Sequence, residues 1–134
     1  MIPDHFSKFK KDMKLSGWDE KSETVSMSRE GFKTLLALYL KEAAENFDSS
    51  WYLKQYPDIA KGISSGSIPS AKAHYLNHGY VEGRLPGFKN VNFSNYIERY
   101  PDISARLGKI KGKKRETAAM EHFLEFGYKE GRAV

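Results

Sequence analysis

The sequence predicts an all-α fold in which a long N-terminal helix packs on two related units of short helices. Three observations carry this. The stretch Phe47 to Gly87 is largely written again downstream: Tyr52, Tyr56-Pro57-Asp58-Ile59, His74, Leu76, Gly79-Tyr80 and Glu82-Gly83-Arg84 recur as Tyr96, Tyr100-Pro101-Asp102-Ile103, His122, Leu124, Gly127-Tyr128 and Glu130-Gly131-Arg132. A tandem repeat settles architecture before any motif is weighed. Phe32, Leu35, Leu36, Tyr39, Leu40, Ala43 and Ala44 follow helical spacing. Prolines and glycines fall where short helices start and stop. The expected organisation is one compact domain made of a segment 1–46, a unit 47–90 and a unit 91–134. A chain of 134 residues can bury one real core.

In order along the chain, Phe6, Phe9, Met13 and Leu15 place apolar groups three or four apart between Met1 and Gly17, with Lys8, Lys10, Lys11 and Lys14 on the wet side. This predicts a short amphipathic helix. The start carries Asp4 and no apolar run, which is not the pattern of a secretory signal. Gly17-Trp18-Asp19-Glu20 reads as a turn and Lys21 to Ser28 as an irregular connector. Ser28 is the expected N-cap of a helix from Arg29 to Asn46, because a hydroxyl there accepts a bond from an orphan backbone N–H. Its wide apolar stripe must bury against the repeats.

Asp48 is expected to cap Ser49 to Tyr56. Pro57 ends that helix and, having no N–H to lose, opens the next, to about Ile63. Ser64 to Ser67 is a loop. Ser70 to His78 is the third helix of the unit, with Ala73, Leu76 and one edge of Tyr75 inward, and Gly79 is its expected left-handed stop. The second unit repeats the plan, with Asn92 or Ser94 as cap, Pro101 as break, Glu116 to Phe126 as third helix and Gly127 as stop. The offset between units is 44 at Pro57/Pro101 and 48 at Gly79/Gly127, so four extra residues fall in or near Gly108 to Arg115. Loop closure entropy grows slowly with length, so an insertion there is tolerated.

Composition excludes several classes. With no cysteine, neither disulfides nor thiolate metal sites are available. No stretch approaches the roughly 18 apolar residues that span a bilayer, and a cytoplasmic location is expected. The net charge is +5, but residues 1–46 are balanced, and Lys109, Lys111, Lys113, Lys114 and Arg115 together account for the whole excess. These five are the candidate binding residues, able in principle to contact phosphates or an acidic polymer. No aromatic is interleaved for base stacking. They also describe a solvated loop.

His74 and His78 have the i, i+4 spacing of two metal ligands. The second unit keeps His122 but has Phe126 in place of His78, and no third ligand is nearby, so no metal or other cofactor is expected. His74 and His122 are instead expected to be half-buried and bonded to a backbone carbonyl. Each unit has an early aspartate (Asp58, Asp102) and a late arginine (Arg84, Arg132). A link between the ends of each unit explains why both recur, and a carboxylate- or phosphate-binding arginine is the alternative. There is no nucleophile elbow, phosphate loop or dinucleotide fingerprint, so no enzyme is expected.

Read as D-x-x-[WY]-Y-L-x-x-Y-P-D-[IV] followed by H-[YF]-x-x-x-G-x-x-E-G-R, the unit resembles a small repeat of bacterial proteins, often in tandem, attached to glycosyltransferases and other polysaccharide-related or surface-associated proteins. Asp48, Trp51-Tyr52-Leu53, Tyr56 to Ile59, His74-Tyr75, Gly79 and Glu82-Gly83-Arg84 carry it in the first unit. Tyr96, Tyr100 to Ile103, His122-Phe123, Gly127 and Glu130-Gly131-Arg132 carry it in the second, where Asn92 and Asn95 replace Asp48 and Trp51. The resemblance covers about two thirds of the chain. It implies a non-catalytic accessory module, whose partner is another protein or a polysaccharide-related system. Nucleic-acid or acidic-polymer binding through 109–115 is the alternative.

Overall fold

The computed structural model describes residues 6–19 and 21–134. Asp4, Glu20 and the side chain of Phe9 lie outside the described residues. The fold is all-α. No strand occurs among the described residues, and Ser16 and Ser26 form a lone antiparallel bridge. The chain divides into two compact units, Met1–Lys89 and Asn90–Val134.

In the first unit, α1 (Phe6–Asp12) is followed by a connector tied back to the start of α2 (Arg29–Tyr39). Ser28 caps α2 by accepting from Gly31 N–H at 3.0 Å, and its own N–H donates to the Met13 carbonyl at 3.1 Å. Gly31 is buried there, and a Cβ would sit 2.9 Å from the Met13 carbonyl oxygen. The single long helix expected from Arg29 to Asn46 is two. At Leu40 ψ is 7°, ending α2, and α3 (Lys41–Glu45) restarts beyond it. The periodicity ran across the break because Leu40 is itself buried, at 3 % exposure. The stripe of α2 is also less covered than expected, with Phe32 and Tyr39 exposed.

The repeat proper begins at α4 (Ser49–Gln55), capped by Asp48, whose carboxylate accepts from Trp51 N–H at 2.9 Å. Pro57 opens α5 (Pro57–Ser64) directly behind it. Ser70 caps α6 (Ala71–His74), accepting from Ala73 N–H at 3.1 Å. The helix then widens into a π-turn, π1 (Tyr75–Gly79), with Tyr80 N–H bonded to the Tyr75 carbonyl at 2.9 Å. A π-turn accommodates one more residue than an α-turn and so re-aims the chain beyond it. The buried face is therefore Ala71, His74, Tyr75 and Gly79, whereas Ala73 and Leu76 are only half-buried. Tyr52, Ile59, Ala71 and Tyr75 form the core, and Ala43, Phe47, Ile63 and Ile68 are among the residues packed on it.

Gly79 is not a left-handed stop. A Cβ there would land on the Tyr52 hydroxyl, so the glycine serves close approach. The left-handed position is Gly83, at φ 77° with open space around it. The exit strap then returns to the cap: Asp48 N–H donates to the Pro86 carbonyl at 3.0 Å.

The second unit uses the same parts: α7 (Phe93–Arg99), α8 (Pro101–Arg106), α9 (Lys113–His122) and π2 (Phe123–Gly127). Asn92 supplies the cap of α7, accepting from Ser94 N–H at 2.9 Å. Tyr96, Ile103, Ala119 and Phe123 are buried where the first unit has Tyr52, Ile59, Ala71 and Tyr75. Phe93 stacks on Tyr96 and Phe123, the contacts that Phe47 makes to Tyr52 and Tyr75. The third helix starts at Lys113, not Glu116, so the last three residues of the expected loop, Lys113 to Arg115, are helical.

Candidate functional site

Each unit holds one polar cluster, built by the helix end and the strap beyond it. In the first, the Tyr52 hydroxyl lies 3.0 Å from His74 Nδ1, and His74 Nε2 lies 3.9 Å from Glu82 Oε2. Arg84 Nε donates to Glu82 Oε2 at 2.7 Å, while Nη1 and Nη2 donate to the two Asp58 oxygens at 3.0 and 2.8 Å. The guanidinium carbon stands 4.9 Å from the Tyr56 ring centre, in cation–π range. The Tyr56 hydroxyl accepts from Leu85 N–H at 3.0 Å, fastening the strap.

The second unit repeats the tyrosine–histidine bond, the arginine bonds and the strap bond. Tyr96 meets His122 Nδ1 at 2.9 Å, and Arg132 holds Glu130 at 2.6 Å and Asp102 at 2.9 and 2.8 Å. Arg132 lies 4.9 Å over Tyr100, whose hydroxyl accepts from Ala133 N–H at 2.7 Å.

Local geometry explains the construction. Pro57 and Pro101 fix helix starts that put Asp58 and Asp102 in first turns. The π-turns and the left-handed Gly83 and Gly131 swing the strap so that Arg84 and Arg132 come back over those aspartates. The arginine hydrogen bonds hold both aspartates below the usual carboxylate range, and the same bonds raise both arginines. Burial pushes the Tyr52 hydroxyl up to about 12 and Tyr96 upward as well, so both stay protonated at neutral pH. Burial holds His74 below its ordinary value, against the pull of Glu82.

Of the residues singled out in the sequence, Asp58 with Arg84, and Asp102 with Arg132, are brought together as bidentate pairs. His74 and His122 bond a tyrosine hydroxyl through Nδ1, not the expected backbone carbonyl, and His74 is buried. His78 stacks on His74 at 5.8 Å, and Phe126 stacks on His122 at 5.5 Å, so the two share a ring-packing position. Among the described residues no group of three or more His, Cys, Asp or Glu is placed to hold a metal.

Of the basic run, Lys109 and Lys111 precede α9, and Lys113, Lys114 and Arg115 form its first turn. Arg115 turns inward, with Nη2 3.4 Å from Ser104 Oγ, and lines a cleft of about 320 Å³ with Ser94, Glu98, Ser104 and Glu116. Lys113 and Lys114 border a shallow depression of about 340 Å³ with Thr117, Ala118 and Glu121.

The tyrosines and glutamates of the clusters were visible only as recurrences. Their signal was co-recurrence: Tyr52, Tyr56, His74, Glu82 and Arg84 are retained together in the second copy. In each cluster every guanidinium nitrogen has a carboxylate partner, and the tyrosine hydroxyls face groups of their own unit. The arrangement does what a clasp does, joining the start of a unit to its end.

The fold and its clusters define an all-α protein built on a duplicated, internally clasped helical unit. Compared with known proteins, the chain matches no protein family, no curated protein and no solved structure. No helix among the described residues is long and apolar enough to cross a membrane.

Proposed function

We propose that the chain is a non-catalytic binding or scaffolding module, cytoplasmic, serving a bacterial polysaccharide or cell-envelope system through a protein partner. One observation carries this reading: the polar clusters are engaged within their own units, while large apolar side chains stand open on the first. Tyr39 is 74 % exposed on α2, Phe32 lies two turns before it, and Val81 is exposed beside Tyr80, whose ring touches Tyr39 at 6.2 Å. Clustered aromatic and apolar exposure, and not scattered single residues, is what marks a protein contact. The bacterial setting rests on the resemblance of the repeated unit to segments attached to glycosyltransferases and surface-associated proteins.

The test is site-specific photo-crosslinking in the native cell, with the crosslinker at position 39 or 32 and, as control, at Lys54 on the exposed side of α4. A discrete adduct from 39 and 32, and none from Lys54, with a polysaccharide-assembly or envelope protein supports the reading. Equal, diffuse labelling from all three positions overturns it.

A further inference from the structure

We propose that Lys109, Lys111, Lys113 and Lys114 form a docking surface for the phosphate backbone of double-stranded nucleic acid, read by charge and not by base. This goes beyond the protein-binding reading and rests on the second unit alone. All four lysines are exposed, and among the described residues none has a carboxylate within ion-pair distance. Three other lysines are engaged, Lys8 with Asp12 at 3.4 Å, Lys33 with Glu30 at 3.6 Å and Lys10 at 4.9 Å over the Trp18 ring; what sets the four of the run apart is that they fall within six residues of sequence. The carboxylate nearest in sequence, Glu116, instead accepts from Ser94 Oγ at 2.9 Å.

The first unit serves as an internal control. It builds the same core and clasp with the uncharged connector Ser64 to Ser70, and caps its third helix with Ser70. The second unit replaces that cap with Gly112, which offers no side-chain acceptor, and adds cations to the first turn of a helix. Cations there oppose the helix dipole, so the fold gains nothing from them. Local choices that oppose the fold are expected where a surface serves something else.

Charge complementarity selects the occupant. Lysine ammonium groups are compact point charges without the planar fork that selects single carboxylates. The one arginine of the run is turned inward. Duplex nucleic acid presents about one negative charge per 1.7 Å of axis, and neutralising its phosphates releases condensed counterions. No aromatic lies between Gly108 and Arg115 to stack an unpaired base, which favours duplex over single strand.

The experiment uses the full chain and a fluorescently labelled 20-base-pair DNA duplex of arbitrary sequence, followed by anisotropy between 25 and 200 mM salt. The expected result is sequence-independent binding whose log affinity falls against log salt with a slope of about −2 to −3.6, at ~0.9 per phosphate contacted. The quadruple variant Lys109→Gln, Lys111→Gln, Lys113→Gln, Lys114→Gln loses about tenfold or more at 50 mM salt, in line with the loss of several phosphate contacts, and keeps its helical circular dichroism. Lys109→Gln with Lys111→Gln, both before α9, gives an intermediate loss and guards against a folding defect. Replacing Lys8, Lys11, Lys14 and Lys21 by Gln makes the same charge change and leaves binding intact. The proposal is overturned if duplex does not bind at 50 mM salt, if the quadruple variant binds like the parent, if the charge-matched control loses as much, or if heparin binds at this surface and duplex fails to displace it.

Discussion

The Tyr52 hydroxyl rests against the backbone of Gly79, on the side from which a Cβ would project, and Tyr96 stands to Gly127 in the same way. That contact is where helix, π-turn and histidine meet, since the same hydroxyl bonds His74 Nδ1 at 3.0 Å. The glycine, the tyrosine and the histidine are thus one packing decision made twice.

Gly79→Ala is expected to destabilise the chain by about 2–3 kcal/mol, the range of an overpacked core site that also loses a buried hydrogen bond. Tyr52→Phe alone removes the bond and costs about 1–2 kcal/mol. The double variant should be less destabilised than the sum of the two, because deleting the hydroxyl removes the atom that the new methyl strikes. Urea unfolding of the four proteins measures the coupling, and strict additivity would show that the contact is not the reason for the glycine. Gly83→Ala meets no atom, so its cost is only that of a left-handed residue, about 1–2 kcal/mol.

The clasp arginines require their fork. Arg84→Lys keeps the charge but can serve neither both Asp58 oxygens nor Glu82 at once. Asp58 is 59 % exposed while Arg84 is 22 % exposed, so solvent screens the pair and the expected loss is modest, about 1 kcal/mol. Arg84→Ala should cost more, because it also uncovers the Tyr56 ring. Unfolding midpoints at low and high salt separate the parts: salt should shrink the charge-dependent part of the Ala variant's deficit, and what persists at high salt is the packing lost over Tyr56.

Much of this plan was legible because its determinants are local. Ser28, Asp48, Pro57 and Pro101 act on the turn they stand in, and each sits where the sequence placed it; of Asn92 and Ser94 it is Asn92 that caps, and Ser70 is the cap of its helix and not its first residue. The illegible parts depend on contacts distant in sequence. Leu40 breaks a periodic stripe without disturbing it, because a buried leucine fits either continuation. The π-turns pack against Tyr52 and Tyr96, more than twenty residues upstream, and no spacing rule reveals them. The histidine–tyrosine bond was concealed for the same reason: recurrence named both partners without pairing them. The early start of α9 comes from Gly112, whose φ of 62° and ψ of −148° lead into the helix without a side-chain cap.

The clusters set two pH windows. Asp58 and Asp102 have folded values below the ordinary carboxylate, so the unfolded chain binds protons first as the pH falls. Their contribution is present above about pH 4 and is lost as the pH drops through the folded values. His74 is also depressed, faced by Tyr52 from α4, by Asp58 from α5, by His78 from π1 and by Glu82 and Arg84 from the strap. Its neutral form is kept in the folded state, while the unfolded chain protonates near pH 6.5, so stability declines as the pH falls below about 6.5. Urea midpoints from pH 8 to 5 should fall for the parent and fall less for His74→Gln. An equal decline in both would assign the upper window to another group.

Lys113→Glu and Lys114→Glu should each stabilise the unliganded chain, by about 0.3–1 kcal/mol, because an anion in the first turn of α9 interacts favourably with the helix dipole where a cation does not. The comparison that gives this meaning is Lys129→Glu, which changes charge equally outside any helix. If net charge governed stability, all three would gain alike, since each lowers the excess of cations. If the position of the charge governs it, the first two gain and Lys129→Glu does not, and the gain shrinks as salt rises. Thermal unfolding at 20 and 300 mM salt distinguishes these outcomes. A loss of stability on Lys113→Glu would mean that the lysine serves the fold, and the adverse placement of charge on α9 would no longer need a purpose outside it.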